Sequence, residues 1–409
     1  MNSAHFSRRT FVRGAAFSSL SLMLAFAGCK PAGDTTTNGA APAGNTATTS
    51  TETTSGSGET IVIGHYGSLS GGTATFGLST DKGIRMAFEE INAGKPPLGK
   101  KLELVSADDS SQPAQVPGAV QKLIKESNAT VLIGEVASKL SKIAAPIAQK
   151  AGVPMVSPAS TNPAVTQAGD YIFRTCFIDP FQGSVMAKFA KNDLKATKAA
   201  ILTDVANDYS RGLTEFFTAE WKKGGGQIVD SESYSQGDKD FNSQLTKIKA
   251  SNPDVIYIPG YYNEVGNIAV QARRLGITQP MMGGDGWDSP KLFEIGGKAV
   301  QGCYFSNHYS PQSQDPRVVK FVTDYKAKNG ETPDAMAALG YDAAYIVSNA
   351  IERAGSVDKS KIRDALATTK DYPGVTGVIS IDKDRNAVKS AVILKIEGNE
   401  GKYITTVKP

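Results

Sequence analysis

The chain has 409 residues, 40% of them hydrophobic and 21% charged; this is a globular balance in a chain too long for one ordinary core, so two domains are expected. The formal net charge is +4, of which Arg8, Arg9 and Arg13 near the N-terminus supply three charges; the near-neutral remainder gives no electrostatic case for nucleic acid. No apolar stretch reaches the ~18–20 residues that a membrane-spanning helix requires.

The N-terminus reads as an export signal. Ser7-Arg8-Arg9-Thr10-Phe11-Val12 is a twin-arginine pattern, followed by an apolar stretch over residues 15–27. That stretch ends in Phe26-Ala27-Gly28-Cys29, small residues leading into a cysteine. It resembles the lipobox of bacterial lipoproteins, with Phe26 where Leu is usual. The resemblance implies removal of residues 1–28 and lipidation of Cys29. The twin-arginine pattern implies export of an already folded chain; a general secretory signal containing two arginines is the alternative. Residues 31–58 are dominated by Thr, Ala, Gly and Ser, with only Asp34 and Glu52 charged. Such a segment buries too little apolar surface to fold. Residues 29–58 are expected to form a disordered tether with a reach on the order of 30 Å.

From residue 59 the pattern is α/β throughout. Strands are expected at residues 61–63 and 102–106, with helices at 79–92 and 114–126. Apolar runs at 130–133 and 153–156 bracket a helix at 139–150, and 171–174 is a further strand. A second series places helices at 182–192, 212–223, 241–250 and 264–275, with strands at 199–204, 227–233, 255–259 and 281–283. A short helix at 289–295 and a strand at 302–306 follow. Then come three helices, at 316–328, 336–354 and 359–367, and two closing strands, at 377–381 and 388–396. Alternating strands and helices argue for parallel, doubly wound sheets, and two successive series argue for two lobes. The late strands suggest that the chain crosses between the lobes more than once.

Two hydroxyl-bearing loops stand out, Gly134-Glu135-Val136-Ala137-Ser138 and Ser157-Pro158-Ala159-Ser160-Thr161-Asn162. They lie at the carboxyl ends of neighbouring parallel strands, where such sheets bind ligands. Short hydroxyls and free backbone N–H groups at a helix start suit a small anion such as a carboxylate. On these residues alone, Ser138 and Ser157 are equally readable as helix caps or turn residues.

Enzyme signatures are sparse. His5, His65 and His308 are the only histidines, and none is spaced as a metal pair. No Gly-x-Ser-x-Gly or Gly-x-x-x-x-Gly-Lys-Ser/Thr occurs, and residues 64–72 lack the dinucleotide-binding glycine spacing. No cofactor or metal is expected.

Several runs carry a family resemblance. They are Ile61-Val-Ile-Gly-His-Tyr-Gly-Ser-Leu-Ser-Gly71, Gly83-Ile-Arg-Met-Ala-Phe-Glu-Glu-Ile-Asn92 and Leu102-Glu-Leu-Val-Ser-Ala-Asp-Asp109. Others are Ala145-Pro146 with Gly152-Val-Pro154, Phe173-Arg-Thr175, Met282-Gly-Gly-Asp-Gly286 and Ala338-Leu-Gly-Tyr-Asp-Ala-Ala344. In this order they resemble the periplasmic solute-binding proteins of ABC importers, of the leucine/isoleucine/valine-binding type. The resemblance covers nearly all of residues 60–403. It implies the type I fold, two α/β lobes joined by a three-strand hinge. Crossings are expected near residues 175–178, 303–307 and 373–378. Lobe one is then 59–175 with 304–372, and lobe two 177–302 with 379–409.

The resemblance also implies a split amino-acid site. Ser138 and Thr161, with Ala159 and Ser160 in the same loop, match the carboxylate-binding positions of lobe one. Asp285 matches the lobe-two acid that holds the ammonium by a charge-assisted bond. Tyr261 matches a tyrosine acting across the cleft, and Tyr209 and Phe76 match aromatic side-chain contacts. Trp287 is readable as pocket wall or as core, the three other aromatics as packing, and Asp285 as a turn residue. Glu135 is near enough to touch ligand, at a position that varies in the family. Common members carry a lobe-one disulfide where Ser111 and Ala137 stand here, so that bridge is missing. Cys176 and Cys303 fall on two expected crossings, and both a disulfide between them and two separately buried thiols stay open. The implied function is capture of an amino acid, branched-chain or otherwise apolar, by a monomeric, lipid-anchored extracytoplasmic protein. It would deliver that ligand to a permease with ATPase subunits and touch the membrane through the anchor only. An amide or urea ligand, or a sensor ectodomain acting through a partner chain, are the alternatives.

Overall fold

Short apolar runs become strands buried on both faces, as parallel sheets require. The computed structural model describes residues 60–409; the export signal, Cys29 and the tether lie outside the described residues. Strands β1 (Ile61–Gly67), β2 (Leu102–Asp108), β3 (Val131–Ile133), β4 (Met155–Ser157) and β5 (Ile172–Arg174) form a parallel sheet in the order β2-β1-β3-β4-β5. Helices α1 (Ala74–Ala93), α2 (Val116–Lys125) and α3 (Ser138–Ala151) connect the first four strands. Side-chain alternation splits the sheet's faces. Ile61, Ile63, Val131, Ile133, Val156 and Phe173 pack in one cluster with α1; Leu132, Met155 and Ile172 pack in another with α2 and α3.

The second lobe follows the same logic. Helices α4 (Asp179–Asn192), α5 (Asp208–Lys223), α6 (Asn242–Ser251), α7 (Tyr262–Arg274) and α8 (Pro290–Gly296) alternate with β6 (Lys198–Asp204), β7 (Gln227–Tyr234), β8 (Val255–Tyr257), β9 (Met281–Gly283) and β10 (Tyr304–Asn307). Helices α9 (Pro316–Asn329), α10 (Ala335–Ala354) and α11 (Lys359–Ala367) then return to the first lobe, where α10 lies on α1. That crossing is close because Gly83 has no side chain: a Cβ there would stand 2.0 Å from the Ala337 carbonyl oxygen.

Strands β11 (Tyr372–Gly374), β12 (Gly377–Ile381) and β13 (Ala387–Val388) form a small antiparallel sheet. Strands β14 (Ala391–Glu397) and β15 (Glu400–Val407) complete the second lobe's sheet, in the order β15-β14-β10-β9-β8-β6-β7.

The hinge differs from expectation at two of its three crossings. Residues 304–307 are not a crossing, because β10 is hydrogen-bonded between β9 and β14 inside the second sheet; the chain leaves that sheet at His308. Residues 379–388 belong with the first lobe, because Ile379 and Ala387 pack with Ile61, Val156 and Phe173. The third crossing is therefore the short link Lys389-Ser390 between β13 and β14, not residues 373–378. The first crossing runs from β5 to α4 through residues 175–178.

Of the two readings of the cysteines, the separate thiols hold. Cys176 and Cys303 are both free and buried. Cys176 Sγ lies 3.4 Å from the Ser160 carbonyl oxygen, and Cys303 Sγ lies 3.7 Å from Arg273 Nη2. The two thiols have separate partners because Cys303 precedes β10 inside the second lobe, not on a crossing.

Candidate functional site

The lobe-one half is built from three loops, after β1, β3 and β4. Gly134 turns the β3 loop at φ +146°, where a Cβ would lie 2.1 Å from the Tyr66 carbonyl oxygen, so only glycine fits. The next residue, Glu135, ties the loops together. Its Oε1 accepts from the Ser68 backbone N–H and lies 2.8 Å from Ser68 Oγ, and its Oε2 accepts from the Ala137 N–H. Its carbonyl oxygen accepts from Ser157 Oγ at 2.7 Å and Ser160 Oγ at 2.9 Å.

Ser68 Oγ also lies 3.1 Å from Asp109 Oδ1. One hydroxyl has one proton to give, so it shares that proton between the two acids or accepts from whichever carboxyl is protonated. Burial, with Asp109 as neighbour, pushes the Glu135 carboxyl up; burial likewise raises Asp109. Glu135 and Ser157 therefore serve the scaffold.

Ser138 opens α3 and accepts through Oγ from the Asn162 N–H at 3.2 Å. Ser160 spends its hydroxyl on Glu135 and Val136 carbonyls and its N–H on Ser157 Oγ, so it shapes the loop. The buried Arg174 holds that loop from beneath, through Nη1 to the Ser160 carbonyl at 2.5 Å and Nη2 to the Asn162 carbonyl at 2.8 Å. Ala159 is buried beside it. Thr161 is fully buried, and its Oγ1 has no hydrogen-bond partner.

The lobe-two half centres on Asp285, in a one-turn 3-10 segment after β9. Oδ1 accepts from Gln182 Nε2 at 2.7 Å and Tyr209 OH at 2.9 Å; Oδ2 lies 3.0 Å from His308 Nε2. Tyr209 also accepts from the Gly286 N–H at 3.0 Å. Tyr261 stacks on Tyr209 with ring centroids 5.2 Å apart, and the edge contact of Phe76 on Tyr261, at 5.4 Å, joins the lobes. Trp287 packs in the same cluster as this wall. Its Nε1 donates to the Ile258 carbonyl and its ring stacks on Phe305.

Asp179, Gln182 and His308 were not singled out as site residues from sequence. Asp179 and Gln182 form the first turn of α4, three residues apart, directly after the first crossing. The Asp179 N–H donates to the Thr161 carbonyl at 3.0 Å. Neither Asp179 carboxyl oxygen nor Gln182 Oε1 has a hydrogen-bond partner, and both side chains are fully buried. Burial drives the Asp179 carboxyl up to about 8. The signal was Asp-Pro-x-Gln opening a helix, but an acid at a helix start reads first as a dipole partner.

Across the cleft rim, Lys142 Nζ meets Asp208 at 2.9 Å and Lys139 Nζ the Ala206 carbonyl at 3.0 Å. Asn162 Nδ2 donates to the Asp208 carbonyl, Tyr262 OH to the Gly72 carbonyl, and Thr75 Oγ1 lies 2.9 Å from Ser289 Oγ. The lobes are closed. At the rim, Thr73, Ser111, Ala137, Asn207 and Tyr261 line a small cavity of ≈ 20 Å³, about one water's space; Ser138, Thr161 and Asp285 do not line it. Two roomier cavities, of ≈ 480 and ≈ 510 Å³, flank the second crossing and contain none of Ser138, Thr161, Tyr261 or Asp285. Among the described residues no cluster suits a metal ion, and no helix is long and apolar enough to cross a membrane.

The periplasmic binding protein family matches residues 60–402. The Leu/Ile/Val-binding protein homolog 3 of Brucella melitensis is 33% identical over 322 residues, 78% of this chain and 86% of that one. The leucine-binding protein LivK of Thermotoga maritima aligns with a TM-score of 0.82 at 43% identity, over 85% of this chain and 99% of its own. The branched-chain amino-acid transporter substrate-binding protein LivJ of Streptococcus pneumoniae, solved with isoleucine, gives 0.82 at 36% identity, over 86% and 100%. Two closed α/β lobes with loops at the strand ends, matched over most of the chain and most of its relatives' lengths, place it: this chain belongs to the periplasmic binding protein family and has its type I fold.

Proposed function

We propose that this chain is the extracytoplasmic amino-acid-binding component of an ABC importer, with an aliphatic, branched-chain ligand as the first choice. The observation that carries the reading is the opposition of unlike halves. Lobe one offers hydroxyls and backbone N–H groups at the start of α3, which suit a carboxylate; lobe two offers two buried acids, which suit an ammonium. Ser138, Thr161 and the backbone at Ala159 take the carboxylate. Asp285, joined by Asp179, takes the ammonium. Tyr209, Tyr261 and Phe76 wall the side chain. Similarity to leucine- and isoleucine-binding relatives supports the choice of side chain. A neutral amide or urea would leave the buried Asp285 without an ammonium partner, which is costly. The binding role needs no covalent step. Cys29 as lipid anchor, the tether, a monomeric state and delivery to a permease with ATPase subunits complete the reading.

Thermal-shift screening of the protein against the amino acids and simple amides tests it. A saturating ligand at ~100 times its Kd adds about 2.7 kcal/mol of stability, so amino acids should raise Tm and amides should not. Asp285→Ala should keep the wild-type fold and lose amino-acid affinity by about 100-fold, as removal of one partner of a buried charge pair does. Unchanged affinity in that variant would refute the ammonium role.

A further inference from the structure

We propose that His308 is a positioning residue for Asp285, aiming the ammonium-binding carboxylate from the hinge itself; this rests on the amino-acid reading above. His308 is the first residue beyond β10, where the second crossing begins. Its Nε2 lies 3.0 Å from Asp285 Oδ2, and its side chain is fully buried. Phe177, on the first crossing, stacks on the imidazole with centroids 3.8 Å apart and planes 19° apart. Lys389, the first residue of the third crossing, is close enough to act on the imidazole by charge. The first and second crossings thus meet at one ring, with the third bearing on it by charge, and that ring holds one oxygen of the acid that faces the ligand.

The chemistry follows from which nitrogen carries hydrogen. An ionised Oδ2 only accepts, so Nε2 donates and the neutral ring leaves Nδ1 as a bare acceptor. Nδ1 is buried and has no partner. A second proton would therefore sit unpaired in the hinge, and burial lowers the imidazole's affinity for it while Asp285 raises it. The groups bearing on the ring are Asp285 from the β9 side, Phe177 from the first crossing, and Lys389 from the third. Asp179 and Gln182 reach the same acid from α4. A protonated His308 would neutralise Asp285 and repel a ligand ammonium. By linkage, ligand binding then expels that proton, and affinity falls as pH drops below the imidazole's own range.

Calorimetric titration of L-leucine, or of the amino acid the thermal-shift panel selects in its place, into wild type, His308→Gln and His308→Leu tests this from pH 8 to pH 5. Burial holds the imidazole below its ordinary 6.5, so its share of the loss in wild-type affinity should appear only below about pH 6.5, at no more than about tenfold per pH unit. His308→Gln keeps an N–H donor but cannot be charged. It should bind within about threefold of wild type at pH 7 and lose the acid-side weakening attributable to the imidazole; any slope from Asp179 or Glu135 remains in both. His308→Leu removes the donor and should weaken binding by about tenfold at pH 7. Should His308→Leu fail to fold, the Gln comparison decides alone. A Gln variant with the wild-type pH profile, or a Leu variant binding as tightly as wild type, overturns the proposal while the amino-acid reading stands. No amino-acid binding by wild type at any pH overturns both.

Discussion

At the scale of single residues, Asp179 separates folding from function. Its carboxyl, held at about 8 by burial against an ordinary 3.8, keeps a proton that the unfolded chain gives up between pH 4 and 8. The unfolded state binds fewer protons in that window, so stability falls as pH rises through it and the loss is complete above about 8. Asp179→Asn removes this titration. In scanning calorimetry it should melt with wild type at pH 4 and on the order of 8 °C above it at pH 8.5, while amino-acid affinity drops by about tenfold or more. A variant less stable than wild type at pH 8.5 would show that the ionised carboxylate has partners within the fold. Trp287 makes the opposite case. It is a large side chain beside the site that packs on Gly283, where a Cβ would lie 2.1 Å from Nε1, and its partners Ile258 and Phe305 are buried. Trp287→Ala should cost about 3–5 kcal/mol in urea unfolding. A loss of affinity without that destabilisation would return it to the ligand pocket.

At the scale of elements, legibility follows how local the determinant is. The helices at residues 359–367 and 316–328 were readable because Asp358 and Asp315 cap them by accepting from the second helical N–H. The split loops at Ser138 and Thr161 were readable because hydroxyls after apolar runs mark strand ends. Strand β15 was missed: it is an edge strand, its side chains half-exposed, so its pattern resembles a tail. The hinge was misplaced because β10 is fixed by its partners. The run Tyr304–Asn307 looks the same whether it crosses the lobes or lies between β9 and β14, and only pairing decides. The same long-range fact separates the cysteines. Peptide mapping of denatured, unreduced protein after alkylation should find Cys176 and Cys303 both modified; a Cys176–Cys303 linked peptide would contradict this hinge.

At the scale of the whole molecule, binding is an equilibrium between parted and closed lobes, and a ligand shifts it only as far as it favours closure. The rim contacts set the other side of that balance. Lys142 and Asp208 meet across the cleft with the lysine side chain 36% exposed, so solvent screens the pair and its worth is about 0.2–1 kcal/mol. That is too little to hold the lobes shut alone, and enough to slow their opening. Lys142→Ala touches none of the groups assigned to the carboxylate or the ammonium. It should therefore leave the association rate nearly unchanged and raise the ligand's dissociation rate by roughly 1.5–5-fold, followed by stopped-flow fluorescence of the cleft tyrosines. Salt distinguishes a charge latch from lost packing: at 1 M the Debye length is ~3 Å, so wild type and variant should converge. A Lys142→Ala dissociation rate equal to wild type at low salt would mean that the aromatic bridge of Phe76 and Tyr261, not the rim, governs opening.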